Sequence, residues 1–148
     1  SKDINSKYIQ DDQDVKIEEL EEIVFDANLP KETPCTPDLH RQFRSVLGQI
    51  NWLQSRTQFQ ACYEFSRCAS AAAGPSIGDI RSINKLVRKI RAEKVVLKIW
   101  PLKGKIRNMG YPDASFKNNA DKSSQRGQCV CLSQKTALAD KQVQKHRW

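Results

Sequence analysis

Apolar residues recur at three- and four-residue intervals through the middle of the chain, and the period then shortens. Leu39, Phe43, Val46, Leu47, Ile50 and Leu53 keep that spacing and predict a helix from about Pro37 to Ser55 with one apolar face. Thr36 suits its N-cap, Pro37 its first helical position, and Asp38 the positive end of its dipole. Phe59, Cys62, Tyr63, Phe65, Ser66 and Ala69 predict a second helix that stops near Gly74-Pro75. A third runs from Ser76 to about Ala92, with Ile77, Ile80, Ile83, Leu86, Val87 and Ile90 on one face.

The flanks are weaker. Ile17, Leu20, Ile23 and Val24 allow a short helix. Ala27 to Thr36 reads as an extended linker, because residues before proline leave the helical region. After the third helix, "KVVLKIW" is short and β-branched and predicts a strand from Val95 to Trp100. "PLKGK" is a turn, "IRNMGYPDASF" a second strand in which Pro112 limits pairing, "KNNADKSSQRG" a polar loop, and "QCVCLS" a third strand. "QKTALADKQVQKHRW" fits a short helix or a frayed tail. The fold class expected is α+β. Residues 1–36 form an acidic segment and linker, 37–94 a helical region, and 95–148 the first antiparallel strands of an unfinished sheet with a tail. Three half-covered strands seldom stand without a partner layer.

Charge sharpens this division. Residues 1–40 hold eleven Asp/Glu against four Lys/Arg, and residues 41–148 hold six against twenty-one, so balances of −7 and +15 underlie the net +8. A basic body beside an acidic end suggests polyanion binding, with the acidic end a linker or a cover for the basic face. The third helix carries Arg81, Lys85, Arg88, Lys89 and Arg91 on its polar face, and Lys94, Lys98, Lys103, Lys105 and Arg107 follow. Such spacing can track a phosphate backbone, and Trp52, Trp100, Tyr111 and Phe116 either add stacking or fill the core.

The five cysteines, at 35, 62, 68, 129 and 131, lack the C-x-x-C spacing of a zinc knuckle and read as buried thiols. With no signal peptide at the start, the expected location is intracellular, cytoplasm or nucleus, and no apolar run suits a membrane. His40 and His146 lie far apart, with His40 expected to be exposed, and neither a dinucleotide nor a P-loop glycine pattern occurs.

Asp113 in "MGYPDASFKNN" is a lone carboxylate in a basic region. On composition alone it is a solvated or hydrogen-bonded strand-end aspartate. "FRSVLGQINWLQSRTQ" resembles the "YR-x-LVG-x-LNWLA-x-QTRPD" segment of reverse transcriptases from copia-type LTR retrotransposon polyproteins, in the helical thumb and connection region. "SINKLVRKIRAEKVVLKI" resembles the helix and strand that follow there. "GYPDASFKNNADKSSQRGQCVCL" is similar to the "YSDASF-x-N-x-x-D-x-SQ-x-GYV-x-FL" segment that opens the RNase H domain, and "DINSKYIQ" to an "I-x-Q-x-x-YI" stretch before the linker. The likeness covers about residues 3–133.

The resemblance implies that Asp113 is the first catalytic, Mg²⁺-binding aspartate of an RNase H-like site. It also marks what is missing: the paired aspartates of the polymerase, the family's "TRPD" (here Thr57 to Gln60), and the glutamate helix downstream, since no Glu follows Glu93. One carboxylate cannot hold the metals such a site needs. The expectation is a polyprotein fragment, inactive alone, that binds nucleic acid (an RNA–DNA hybrid or duplex) without sequence preference through Arg81, Lys85, Arg88, Lys89, Arg91 and Lys94. The alternatives are a nuclease completed by a missing part or partner chain, and a protein-interaction domain whose acidic segment meets a basic surface. The sequence sets no oligomeric state.

Overall fold

The computed structural model describes residues 8–102, 104–115 and 125–134. It is a mixed α+β structure with two small antiparallel two-stranded sheets, and the chain divides into two compact units, Ser1–Ile99 and Trp100–Trp148.

The first unit runs β1 (Ile9–Asp11), α1 (Asp14–Glu18), α2 (Pro37–Gln54), a 3-10 turn (Phe59–Ala61), α3 (Cys62–Ser70), α4 (Ile77–Ala92) and β2 (Leu97–Ile99). The cap signals act locally. The Leu39 amide donates to Thr36 Oγ1 at 3.3 Å, which satisfies one of the donors a helix leaves unpaired at its start. At α4 the Ser76 amide and hydroxyl donate to the Asp79 carboxylate at 2.8 and 2.7 Å. The Ile77 and Gly78 amides donate to the Thr33 and Lys31 carbonyls at 2.9 and 2.8 Å. The stretch expected as a linker therefore closes the N-terminus of α4. At Gly78 a Cβ would stand 3.3 Å from the Lys31 carbonyl oxygen, so the close backbone approach favours glycine.

The core joins Phe43, Val46, Ile50 and Leu53 of α2 to Ile80, Ile83, Leu86, Val87 and Ile90 of α4, with Ala61 and Cys68 beside them. Ile17, Leu20 and Ile23 of the acidic segment belong to the same cluster. Each such side chain contributes roughly 1.5–3 kcal/mol when fully buried, as an upper estimate.

The short helix expected from Ile17 to Val24 is only the single turn α1, and residues 20–26 are irregular. The cause is a buried amide. The Ile23 N–H donates to Asn84 Oδ1 at 2.9 Å, and Asn84 Nδ2 donates to the Ile23 carbonyl at 2.8 Å. Both backbone groups of Ile23 are thereby paired without a helix, and Val24 is turned out, 88% exposed.

Gln58, fully buried, does the same for Val95. Its Nε2 donates to the Val95 carbonyl at 3.0 Å and its Oε1 accepts from the Val95 N–H at 3.3 Å. The strand expected from Val95 shrinks accordingly to Leu97–Ile99. It pairs with β1, an element the residue pattern did not signal, in the register Ile9↔Ile99 and Asp11↔Leu97.

In the second unit, β3 (Ile106–Ser115) and β4 (Gln125–Gln134) form a ten-pair antiparallel ribbon, from Ile106↔Gln134 to Ser115↔Gln125. Pro112 sits within it opposite Gln128 and does not interrupt it. In a two-stranded ribbon each strand is an edge strand, where a proline is tolerated because its missing N–H can face away from the ladder. Gly104 precedes the ribbon with φ +76°, a left-handed conformation that glycine adopts without strain. Ile106, Val130 and Leu132 are 52%, 62% and 61% exposed, so this ribbon contributes no core of its own among the described residues.

Candidate nucleic-acid interface

The polar face of α4 does hold the cations the sequence places there, but most are already engaged. Arg81 donates to the Ala27 and Leu29 carbonyls, both at 2.9 Å, and lies 5.9 Å over the Phe25 ring. Arg88 pairs with Glu22. Lys94 stands 3.2 Å from Glu18 and 3.7 Å from Asp14. Lys89 reaches Glu64 of α3 at 2.6 Å. Lys85 and Arg91 are exposed and make no ion pair among the described residues.

Two kinds of counter-charge are therefore at work. Glu64 is fixed on a neighbouring helix. Burial raises its pKa, but the Lys89 hydrogen bond and the charges of Lys89 and Lys85 outweigh that and hold the carboxyl below its ordinary value. The same hydrogen bond raises the Lys89 ammonium against a smaller opposing effect of burial. Asp14, Glu18 and Glu22, by contrast, belong to the acidic segment, which lies along α4 as a strap. An open groove of about 310 Å³ runs along this seam, lined by Glu22, Ile23, Val24, Phe25, Arg81, Asn84 and Arg88.

Magnitudes decide what holds the strap. Its ion pairs leave their side chains 35–70% exposed, and such pairs contribute roughly 0–1 kcal/mol each. The three apolar anchors Ile17, Leu20 and Ile23 contribute several times more. The carboxylates set the field over α4, whereas the apolar residues set the position of the strap.

The signals for these partners were present but faint. Asn84 breaks the apolar stripe between Ile83 and Val87, and a polar residue on such a face invites the question of what it bonds. Gln58 lies in a short polar stretch between two helical patterns, and nothing in its spacing points to Val95.

The remaining candidates scatter. Trp52 is 44% exposed with the Arg56 guanidinium 5.4 Å over its ring. Trp100 and Tyr111 are also exposed, and Lys98 lies 5.1 Å over Tyr8. Phe116 and Lys103 lie outside the described residues, as does His146. His40, expected to be exposed, is half-buried and its ring Nε2 lies 2.9 Å from the Ala72 carbonyl. Of the thiols, Cys68 is buried, and burial together with the Asp79 charge pushes it up to about 11. Cys62, Cys129 and Cys131 are exposed, against the expectation of burial, and Cys35 is intermediate.

Asp113 stands in β3 opposite Gly127. From residue 100 onward the sequence offers only Asp113, Asp121 and Asp140 as carboxylates, and the latter two lie outside the described residues. No group of three or more His, Cys, Asp or Glu side chains placed to hold a metal ion occurs among the described residues. By its chemistry, a single carboxylate such as that of Asp113 supplies only a fraction of the oxygen ligands that Mg²⁺ requires. No helix among the described residues is long and apolar enough to cross a membrane. No protein-family model, curated protein or solved structure matches the chain.

Proposed function

We propose that this chain is a fragment of a copia-type reverse transcriptase/RNase H polyprotein that binds nucleic acid without sequence preference through α4 and does not cleave it alone. The likeness of three separate segments supports the family reading. They fall, in order, on α2, on α4 with β2, and on the β3–β4 ribbon. The observation that carries the binding reading is the polar face of α4. Lys85 and Arg91 are exposed there and make no ion pair among the described residues, beside Arg81, Arg88, Lys89 and Lys94. The groove at Arg81 and Arg88 is open, so a phosphate can approach cations that the strap now faces. A polyanion binds by competing with Asp14, Glu18 and Glu22.

The test is fluorescence anisotropy of a labelled RNA–DNA hybrid at about 50 and 200 mM salt, a range over which several phosphate contacts lose orders of magnitude in affinity. A steep loss is expected. Lys85→Ala and Arg91→Ala should each lower affinity and reduce the log–log salt slope by roughly one. Affinity that stays flat with salt overturns the reading.

The ribbon favours one alternative, an RNase H-like nuclease completed by another chain or a further segment. Ile106, Val130 and Leu132 are exposed as they would be in a sheet lacking its covering layer. Hybrid cleavage by this chain that requires Mg²⁺ and disappears in Asp113→Asn would establish that reading and end the proposal of inactivity.

A further inference from the structure

The ribbon places three sulfur atoms together on one face. Cys129 and Cys131 are two apart on β4, so their side chains leave the same side of the strand. Met109 is directly opposite Cys131, and Tyr111 directly opposite Cys129, and directly opposed residues share a face. The Tyr111 hydroxyl lies 4.0 Å from the Met109 sulfur, so the thioether lies along the row that Met109 and Tyr111 share, the row directly opposite Cys131 and Cys129. Both thiols are free and exposed, and Met109 is half-buried.

A disulfide within β4 is not the natural use of this pair. Two residues along a strand span about 6.6 Å. Their Cβ atoms point in parallel, whereas a disulfide needs them about 3.8 Å apart. A metal ion reached by both sulfurs from the same side relaxes that demand. Met109 lies about 4.5–5.5 Å from Cys131 by Cβ, and its long, flexible side chain also reaches toward the diagonal neighbour Cys129.

The donor set selects the ion. Two thiolates and a thioether are soft ligands, with no carboxylate or imidazole identified among them, and such ligands favour a soft cation of low coordination number. We propose that Cys129, Cys131 and Met109 form a Cu(I) site on the β3–β4 ribbon. Each thiol gives its proton to solvent, the two thiolate sulfurs and the Met109 thioether donate electron pairs to the ion, and the oxidation state of copper does not change.

The experiment uses the full chain, reduced and kept free of oxygen, titrated with Cu(I) in competition with a chromophoric Cu(I) chelator. Controls are Cys62→Ser, which removes an exposed thiol bonded to Gln54 instead, and Cys35→Ser. One tightly held Cu(I) per chain is expected, retained in both controls and lost in Cys129→Ser and in Cys131→Ser. Met109→Leu, which keeps the volume and removes the sulfur, should weaken binding about tenfold, equivalent to about 1.4 kcal/mol. X-ray absorption of the loaded protein should show sulfur alone around the copper, with one scatterer fewer in Met109→Leu.

Copper retained in the Cys129→Ser/Cys131→Ser double variant overturns the site. So does a sulfur shell unchanged by Met109→Leu, or a protein that gives up all its copper at chelator levels that leave a two-cysteine peptide loaded. Circular dichroism of each variant separates loss of ligand from loss of fold.

Discussion

The helical unit and the ribbon treat apolar residues in opposite ways. Phe43, Ile50, Ile80 and Val87 are shut off from solvent in the first, while Ile106, Val130 and Leu132 stay more than half exposed in the second. Both are built on backbone hydrogen bonds, one through helices and the other through a ten-pair ladder whose two strands each keep an open edge. Hydrogen bonds alone contribute little net stability, and a two-stranded hairpin is marginal in water. Secondary structure can therefore be legible in both regions while, among the described residues, only one carries a core.

The largest expected effect tests that contrast head-on. Phe43→Ala should cost about 3–5 kcal/mol in urea unfolding, the usual range for emptying a buried aromatic site. Val130→Ala should fall within about 0.5 kcal/mol, as for an exposed position. A large loss from Val130→Ala would mean that the ribbon's faces are covered in solution and would remove the contrast.

The next effect concerns how the helical unit holds its irregular stretches. Asn84→Ala strands the buried N–H and C=O of Ile23, at about 1–3 kcal/mol for each group left without a partner. Faster amide exchange at Ile23 and lower stability are expected together. Unchanged exchange there would show that the strap does not depend on this amide.

These two regions also explain what the sequence disclosed. The bounds of α2 were readable because a cap and a helical period agree, and those of α4 because its period starts just after the Gly74-Pro75 break. Such agreement needs only neighbours along the chain. The acidic segment was not readable. Ile17, Leu20 and Ile23 have helical spacing, yet their conformation is set by Asn84, sixty-one residues away from Ile23. Gln58 and Val95 repeat the lesson at thirty-seven residues, and with them the short β2 and its pairing to β1. The six cations on and beside α4 were visible as a run of Lys and Arg, but their counter-charges come from α1, the strap and α3. Charge counts place −7 and +15 in the chain without saying where the two meet.

A smaller effect belongs to the Lys89–Glu64 pair. Its side chains are 36% and 38% exposed, so Glu64→Gln should cost no more than about 1 kcal/mol at neutral pH. The folded state holds Glu64 below its ordinary value. Its stabilisation is therefore complete above the unfolded carboxylate range and is lost as pH falls through the folded value. Lys89 is raised, so the other limb is lost only as pH rises through the folded lysine value. The difference in unfolding free energy between the native chain and Glu64→Gln should be level near neutrality and shrink on acidification. A difference that grows on acidification would reverse the assigned sign.

Because Ile17, Leu20 and Ile23 anchor the strap, its charges can be removed without removing it. Truncation would instead open the core. The most direct measurement is anisotropy of a labelled RNA–DNA hybrid at about 50 mM salt, where phosphate contacts are strongest. It compares the native chain with Asp14→Asn/Glu18→Gln/Glu22→Gln, with circular dichroism confirming that both are folded. Tighter binding by the variant, with a steeper salt dependence, is what competition between strap and phosphate for Arg88 and Lys94 predicts. Equal affinity and equal salt slope in two folded proteins would contradict it, and would mean that the basic face of α4 serves its own acidic segment and nothing else.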